Sequence, residues 1–100
     1  MEKWCDYGIS NVSKENGEIT EVYVHKDMGD YFQPIGVMTE NQVIALIDKG
    51  FSFITILWGY PKWWQGAEVS VINGQNRRYL RTDKDETEKD NLLNLPLILI

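Results

Sequence analysis

Alternation between apolar and polar side chains predicts a β-hairpin near the start of the chain. Residues 9–14 and 19–25 are the two predicted strands, and the second follows the two-residue repeat of a half-buried strand. Asn16 and Gly17 stand between them, and this pair favours a type I′ turn because both central residues take positive φ. The two faces of the second strand separate cleanly: Thr20, Val22 and Val24 on one, Glu21, Tyr23 and His25 on the other.

The spacing of apolar residues after Thr39 predicts one helix. Thr39 is a natural N-cap, and Gln42, three residues later, completes a capping box. Gly50 supplies the left-handed residue that commonly ends a helix. Four apolar residues share one helical face: Val43, Ile44, Leu46 and Ile47. A helix of roughly ten residues is marginal alone, so we expect it to pack on a sheet.

Three further strands are predicted after the helix, over residues 51–58, 67–72 and 77–82. The glycine- and proline-containing segments 27–36 and 59–66 are predicted loops. The resulting fold class is α+β, with an antiparallel sheet of about five strands in the order β-β-α-β-β-β and the helix packed on one face. Both an open sheet and a small, partly closed barrel fit this order.

Length and charge narrow the class of protein. The chain has 100 residues, so residues 1–100 are expected to form a single domain. Its formal net charge is −5, which disfavours non-specific binding to nucleic acid or acidic membranes. The single cysteine excludes an intrachain disulfide, and residues 1–6 lack the apolar segment of a signal peptide. We therefore expect a cytoplasmic protein with no membrane partner.

Three stretches of the chain carry a resemblance to a known family. They are residues 9–27, residues 39–44 with the strand 53–55, and residues 79–83 running on to 90–96. On these stretches the chain resembles DUF3892, a family of small bacterial and phage-borne proteins of unknown function. The chain differs in having Leu93 where the family often has glycine, and in its apolar end, residues 97–100. The resemblance implies a fold and a phage-associated setting, and it supplies no activity.

An aromatic cluster is the most informative candidate site: Trp58, Tyr60, Trp63 and Trp64. Trp63 and Trp64 are adjacent, so a regular element cannot turn both toward one core. Exposed Trp and Tyr are typical of the residues that dominate protein–protein binding. The alternative is that these rings pack on the sheet and enlarge a thin core. We predict a non-enzymatic protein-binding module with an unidentified protein partner.

A basic strand is the alternative candidate site, with Arg77, Tyr79 and Arg81 on one face. Arginines interleaved with an aromatic ring can follow a phosphate backbone and stack on a base. This pattern makes a nucleic-acid-binding accessory protein the alternative function. The opposing interpretation is that these arginines pair with the acidic run at residues 83–90, and the net negative charge makes nucleic acid the less favoured partner.

Catalytic and metal-binding signals are weak. His25 shares a strand face with Glu21 and could serve as a general base, but an exposed His on a hairpin is the simpler interpretation. Cys5 has no adjacent base and is expected to be a small packed residue. The acidic run lacks the Gly and Glu that a calcium loop requires, and no zinc-site spacing occurs. No enzyme activity, metal or cofactor is predicted.

The C-terminal segment, residues 95–100, is aliphatic except for Pro96. Free aliphatic residues of this kind favour aggregation. We expect the segment to pack against this chain's own sheet or against a second copy. The second arrangement would produce a homodimer by edge pairing.

Overall fold

The computed structural model of the protein describes residues 3–82, 92 and 95–98, and it is mostly sheet with one helix. The elements in chain order are β1 (Tyr7–Glu15), β2 (Glu18–Asp27), β3 (Phe32–Thr39), α1 (Glu40–Asp48), β4 (Phe53–Gly59), β5 (Lys62–Asn73) and β6 (Arg78–Thr82). The six strands form one sheet in the spatial order β3-β2-β1-β4-β5-β6. Among the described strands no pairing joins β3 to β6, so the sheet is open and the barrel alternative is wrong.

The first turn and the helix follow their local signals. Asn16 and Gly17 both have positive φ, at 56° and 81°, which confirms the predicted turn. Thr39 accepts from the Gln42 backbone N–H, and the Gln42 side chain accepts from the Thr39 N–H. Gly50 has φ 102° just after the helix. These elements depend on interactions between neighbours in sequence, which explains why the sequence predicts them.

The segment predicted as a loop at residues 27–36 instead contains most of β3. Pro34 and Gly36 suggested a loop, but β3 is an edge strand, where proline and glycine are tolerated. A register shift between Val24 and His25 of β2 accommodates Pro34, which pairs with His25. The prediction of about five strands was therefore one strand short.

The extra strand makes the sheet mixed, so the prediction of a purely antiparallel sheet was wrong. β1, β2 and β3 form an antiparallel meander, which leaves β3 running in the same direction as β1. The helix α1 then returns the chain across the sheet, and β4 pairs with β1 in parallel at residues 7–9 and 53–55. A helical crossover of this kind is what parallel neighbours require.

One face of the sheet and the helix enclose the main core. Val43 and Ile44 of the helix are buried there, and Leu46 and Ile47 are partly buried against it, as predicted. The main core contains twelve buried apolar residues among those described: Ile9, Val12, Ile19, Val22, Val24, Val43, Ile44, Phe53, Val69, Leu80, Leu92 and Leu95. Removal of these side chains from water is the dominant stabilising contribution.

β4 leaves β1 after only three paired residues and bends over it. Register shifts interrupt β1 between Ile9 and Asn11, and β4 between Ile54 and Ile56. The Ile56 side chain lies over Gly8, where an added Cβ would come within 2.9 Å of two Ile56 carbons. Gly8 is thus the residue that allows β4 to cross β1 closely.

Beyond this bend β4 and β5 form a hairpin that we call the arm, residues 56–66. The segment 59–66, predicted as a loop, is mostly strand, with a two-residue turn at Tyr60 and Pro61 whose peptide bond is cis. The arm covers the second face of the sheet with a smaller apolar cluster. That second cluster consists of Cys5, Ile54 and Ile56, with Phe32 and Trp63 partly buried against it.

The C-terminal segment occupies the side of β1 that β4 leaves. The Val12 N–H donates to the Pro96 carbonyl at 3.0 Å, and the Ile98 N–H donates to the Val12 carbonyl at 2.9 Å. Leu95 is buried in the main core, while Leu97 is exposed. In its described part the segment therefore packs on this chain's own sheet, the first of the two expected arrangements, and a homodimer stays a prediction.

Candidate functional site

Trp63 connects the arm to the second face of the sheet. Its ring centroid lies 5.1 Å from that of His25 on β2, 6.1 Å from Phe32 on β3 and 5.1 Å from Trp58 on β4. Two of these contacts are close to edge-to-face, a favourable geometry for aromatic pairs. Trp63 is half-buried in the second cluster, so for this residue the packing alternative is correct.

The other three aromatic residues of the arm stay in water. The exposed fractions of Trp58, Tyr60 and Trp64 are 57%, 88% and 52%. Trp64 follows Trp63 in β5 and so points to the opposite side of the strand. The predicted cluster therefore has two parts: Trp63 anchors the arm on the sheet, and the other three rings are exposed on the arm.

Trp64 has a defined position although it is exposed. Its Nε1–H donates to the Gly59 carbonyl at 3.3 Å, across the turn of the arm. A Cβ at Gly59 would lie 2.6 Å from that nitrogen, so any other residue there would displace the Trp64 ring from this position. The Lys62 ammonium sits 4.3 Å from the Trp64 ring centroid, a cation–π distance.

The turn between β2 and β3, with the chain before β1, forms the facing wall of a cleft. Asp27 organises this wall: its Oδ2 accepts from the Trp4 N–H at 2.8 Å and the Cys5 N–H at 3.4 Å, and its Oδ1 accepts from the Gly29 N–H at 2.8 Å. The Met28 N–H donates to the Tyr31 carbonyl at 2.9 Å and closes the turn. Asp27 is buried, so these bonds fix its carboxylate in place.

The arm and this turn enclose a cleft of about 610 Å³. Its walls include aromatic residues from both sides: Trp4, Tyr31, Phe32, Trp58, Trp63 and Trp64. This turn was not among the predicted site residues, although the adjacent Tyr31 and Phe32 form an aromatic pair similar to Trp63 and Trp64. Only the crossing of the arm over β1 brings the two pairs together.

His25 is buried, so the expectation of an exposed side chain was wrong. Its Nε2 lies 2.9 Å from the Ser10 Oγ, the Ser10 hydroxyl donates to Asn11 Oδ1 at 2.7 Å, and Asn11 Nδ2 donates to the Leu97 carbonyl at 3.3 Å. Ser10 has one proton and gives it to Asn11, so Nε2 must carry the hydrogen and donate to Ser10. His25 is thus a donor in this chain of bonds and does not act as a base toward Ser10.

The remaining ring nitrogen of His25 is buried without a partner. Nδ1 makes no hydrogen bond within the described residues, and rings of Tyr23 and Trp63 flank the imidazole. Burial lowers the pKa of His25 below its ordinary value of 6.5, because the charged ring would lose its hydration. Glu21, the carboxylate that the sequence placed on the same face, is not among the hydrogen-bond partners of His25 in the described part of the chain.

Cys5 is packed, as expected, against the second cluster. Burial, with the nearby Asp27 carboxylate as the next cause, raises the pKa of its thiol to about 12. The thiol donates to the Tyr7 carbonyl at 3.0 Å. A thiol of this kind is a poor nucleophile near neutral pH.

Among the described residues, two arginines of the basic strand form ion pairs with carboxylates on β2 and α1. Arg77 contacts Glu18 at 3.3 Å and Glu40 at 3.0 Å, and Arg78 contacts Asp48 at 2.7 Å. The acidic run at residues 83–90 lies outside the described residues. Surface ion pairs contribute little stability individually, and of these pairs Arg77–Glu40 is the most shielded, with the Glu40 side chain 12% exposed. Together they join the hairpin of β5 and β6 to the helix and to the first turn.

A second cleft, of about 700 Å³, lies beside these arginines and includes Tyr79 and Arg81. The Arg77 guanidinium lies 5.8 Å from the Tyr79 ring centroid. Arg81 is exposed and makes no ion pair within the described residues. Because Arg77 already faces two carboxylates, this surface is less suited to phosphate than the sequence suggested, and nucleic-acid binding stays a prediction.

Neither a metal-ligand cluster nor a membrane-spanning helix occurs in the described part of the chain. No three His, Cys, Asp or Glu side chains there are grouped so as to hold a metal ion. No described helix is both long and apolar enough to cross a membrane.

Comparison with known proteins identifies the family. The model of the family described as "Protein of unknown function (DUF3892)" matches residues 8–96. The chain belongs to the DUF3892 family. Searches of the curated proteins and of the solved structures each found no match.

Membership of DUF3892 confirms the resemblance and brings no activity with it. The matched range contains the arm and the turn after β2, so both walls of the cleft lie mostly within the family's extent. Trp4 and Cys5 precede the match. The function of this DUF3892 member must therefore be argued from its own side chains.

Proposed function

We propose that the protein is a non-enzymatic binding module that captures a protein partner through the aromatic cleft. The observation that carries this proposal is the exposure of Trp58, Tyr60 and Trp64 on an arm that is anchored by Trp63. Large aromatic side chains left in water on one structural element are typical of interaction surfaces.

The anchoring of the arm supports this function energetically. Trp63 holds the arm on the sheet, and the Trp64 side chain is held by Gly59. Rings that are already ordered lose little conformational entropy when a partner binds. The anchored arm therefore offers a preorganised contact surface.

The arrangement around His25 supports a role without catalysis. Among the described residues, Ser10 and His25 most resemble a nucleophile with its base. However, the Ser10 hydroxyl donates to Asn11, and Ser10 is buried. A nucleophile must give its proton to the base and must reach a substrate. We therefore place the function in binding.

The proposed setting follows from the sequence. The unpaired Cys5 and the net charge of −5 favour a cytoplasmic protein, and the family resemblance favours an accessory role in bacteria or phage. Dimerisation through the C-terminal apolar segment is a further proposal, supported by the exposed Leu97 beside β1.

The test is a tagged pull-down from lysate of the source cells, with and without nuclease. The wild type is compared with a Trp58→Ala, Trp64→Ala double variant and with Phe51→Ala, which removes an exposed ring that does not line the cleft. We expect a stoichiometric protein that resists nuclease, is retained by the wild type and Phe51→Ala, and is lost with the double variant. Equal retention by all three baits would contradict the proposal.

A further inference from the structure

We propose that the cleft receives an arginine side chain presented by the protein partner. This inference rests on the proposed function and specifies the chemistry of the contact. It depends on three features of the cleft: its aromatic walls, its carboxylates and the position of Lys62.

The walls offer ring faces from two directions. Trp58 and Trp64 come from the arm, and Tyr31 comes from the turn after β2, all three with more than a third of their surface in water. Trp is the aromatic residue that attracts cations most strongly, because its ring face is the most electron-rich. A planar cation entering between these walls can lie against more than one ring.

Two carboxylates line the same cleft, those of Asp27 and Asp30. Asp27 is buried and accepts hydrogen bonds from backbone N–H groups, and no Lys or Arg forms an ion pair with it within the described residues. These N–H donors stabilise the carboxylate without neutralising its charge, so this wall of the cleft stays negative. It favours a positive ligand over a neutral or negative one.

Lys62 shows that the wall accepts a cation. Its ammonium lies 4.3 Å from the Trp64 ring centroid, and both residues line the cleft. An incoming cation would be repelled by Lys62 and would compete with it for Trp64. The same lysine would instead assist an anionic ligand, so its removal changes affinity in opposite directions for the two charges.

Arginine fits these features better than lysine does. Its guanidinium is planar, stacks on aromatic rings and loses less hydration than an ammonium when it leaves water. The net charge of −5 would further attract a basic segment during encounter.

The direct test uses capped amino acids as probes, followed by NMR of the tryptophan indole N–H signals. N-acetyl-arginine amide is compared with the citrulline analogue, which has nearly the same shape without the charge, and with the proline analogue. We expect saturable shifts of the Trp58, Trp63 and Trp64 indole signals with arginine, and affinity at least about twofold lower with citrulline. Equal responses to arginine and citrulline, a response to proline alone, or no response would overturn the inference.

Charge variants give the second test. Lys62→Gln should tighten arginine binding about two- to fivefold, and Asp30→Asn should weaken it by a similar factor. The matched controls are Lys49→Gln and Glu15→Gln, which change the same charges on exposed residues that do not line the cleft. Weaker binding in Lys62→Gln would overturn the inference, because it would mean that the lysine assists the ligand.

The two proposals can fail separately. Once a protein partner is captured, its retention is measured with excess N-acetyl-arginine amide or with the Asp30→Asn bait. A partner that is lost in the Trp58→Ala, Trp64→Ala bait but withstands the arginine probe and Asp30→Asn would leave the binding function standing and remove the arginine assignment.

Discussion

The Trp63 ring and the His25 ring lie 5.1 Å apart between centroids, although 38 positions separate the two residues in the chain. His25 pairs with Gly8 of β1, and the Ile56 side chain of β4 lies over Gly8. The arm therefore has to cross β1 before Trp63 can reach His25. The contact closes the second cluster, while Trp58, Tyr60 and Trp64 of the arm stay exposed. It therefore connects the stability of the arm with the presentation of the cleft.

The two adjacent tryptophans should respond differently to truncation. Trp63→Ala removes the half-buried ring that contacts His25, Phe32 and Trp58, and should lower the free energy of unfolding by about 2–4 kcal/mol. Trp64→Ala removes an exposed ring and should cost less than about 1 kcal/mol. Urea unfolding followed by circular dichroism measures both. Equal costs would mean that Trp63 does not anchor the arm.

The stability of the protein should fall as pH drops below about 6.5. The pKa of His25 is lowered in the fold, so between the folded and unfolded pKa values the unfolded state binds more protons. The stability from neutral His25 is therefore complete above the unfolded value of 6.5 and is lost as pH falls through the folded value. Unfolding midpoints measured from pH 8 to 5 test this.

The matched variant for this pH series is His25→Gln, which keeps an N–H donor for Ser10 and cannot titrate. Its stability should change less with pH over the same range than that of the wild type. Parallel curves for the two proteins would assign the acid sensitivity to carboxylates instead.

Gly8→Ala should destabilise the protein by about 1–3 kcal/mol, because the new Cβ meets two Ile56 carbons at 2.9 Å. Combining it with Ile56→Val removes one of those carbons. The double variant should therefore lose less stability than the sum of the two single variants, as measured by a double-mutant cycle. Strict additivity would argue against the close crossing of β4 over β1.

Cys5 should react slowly with alkylating reagents in the native protein. The pKa of its thiol is raised to about 12, mainly by burial, so very little thiolate exists at pH 8. Labelling with iodoacetamide, read by mass spectrometry, should be slow without denaturant and complete in concentrated urea. Rapid native labelling would mean that the region around Cys5 and Asp27 opens readily.

What the sequence by itself determined is the set of local structures. The Asn16–Gly17 turn, the Thr39 capping box and the end of the helix at Gly50 all depend on residues a few positions apart. The alternation in β2 also grouped Val22 and Val24 on one face, and both are buried in the main core. These features follow from backbone preferences and from periodicity, which act without the rest of the fold.

Tertiary structure alone decided the rest. β3 exists because β2 offers it an edge despite Pro34, and β4 runs parallel to β1 because β3 adds one more reversal of the chain. His25 is buried because the arm crosses the sheet above it, a consequence of the close approach of Ile56 to Gly8. The aromatic cleft joins residues from the two sides of that crossing. Burial and contact between distant segments depend on the path of the whole chain, and local conformational preferences do not determine that path.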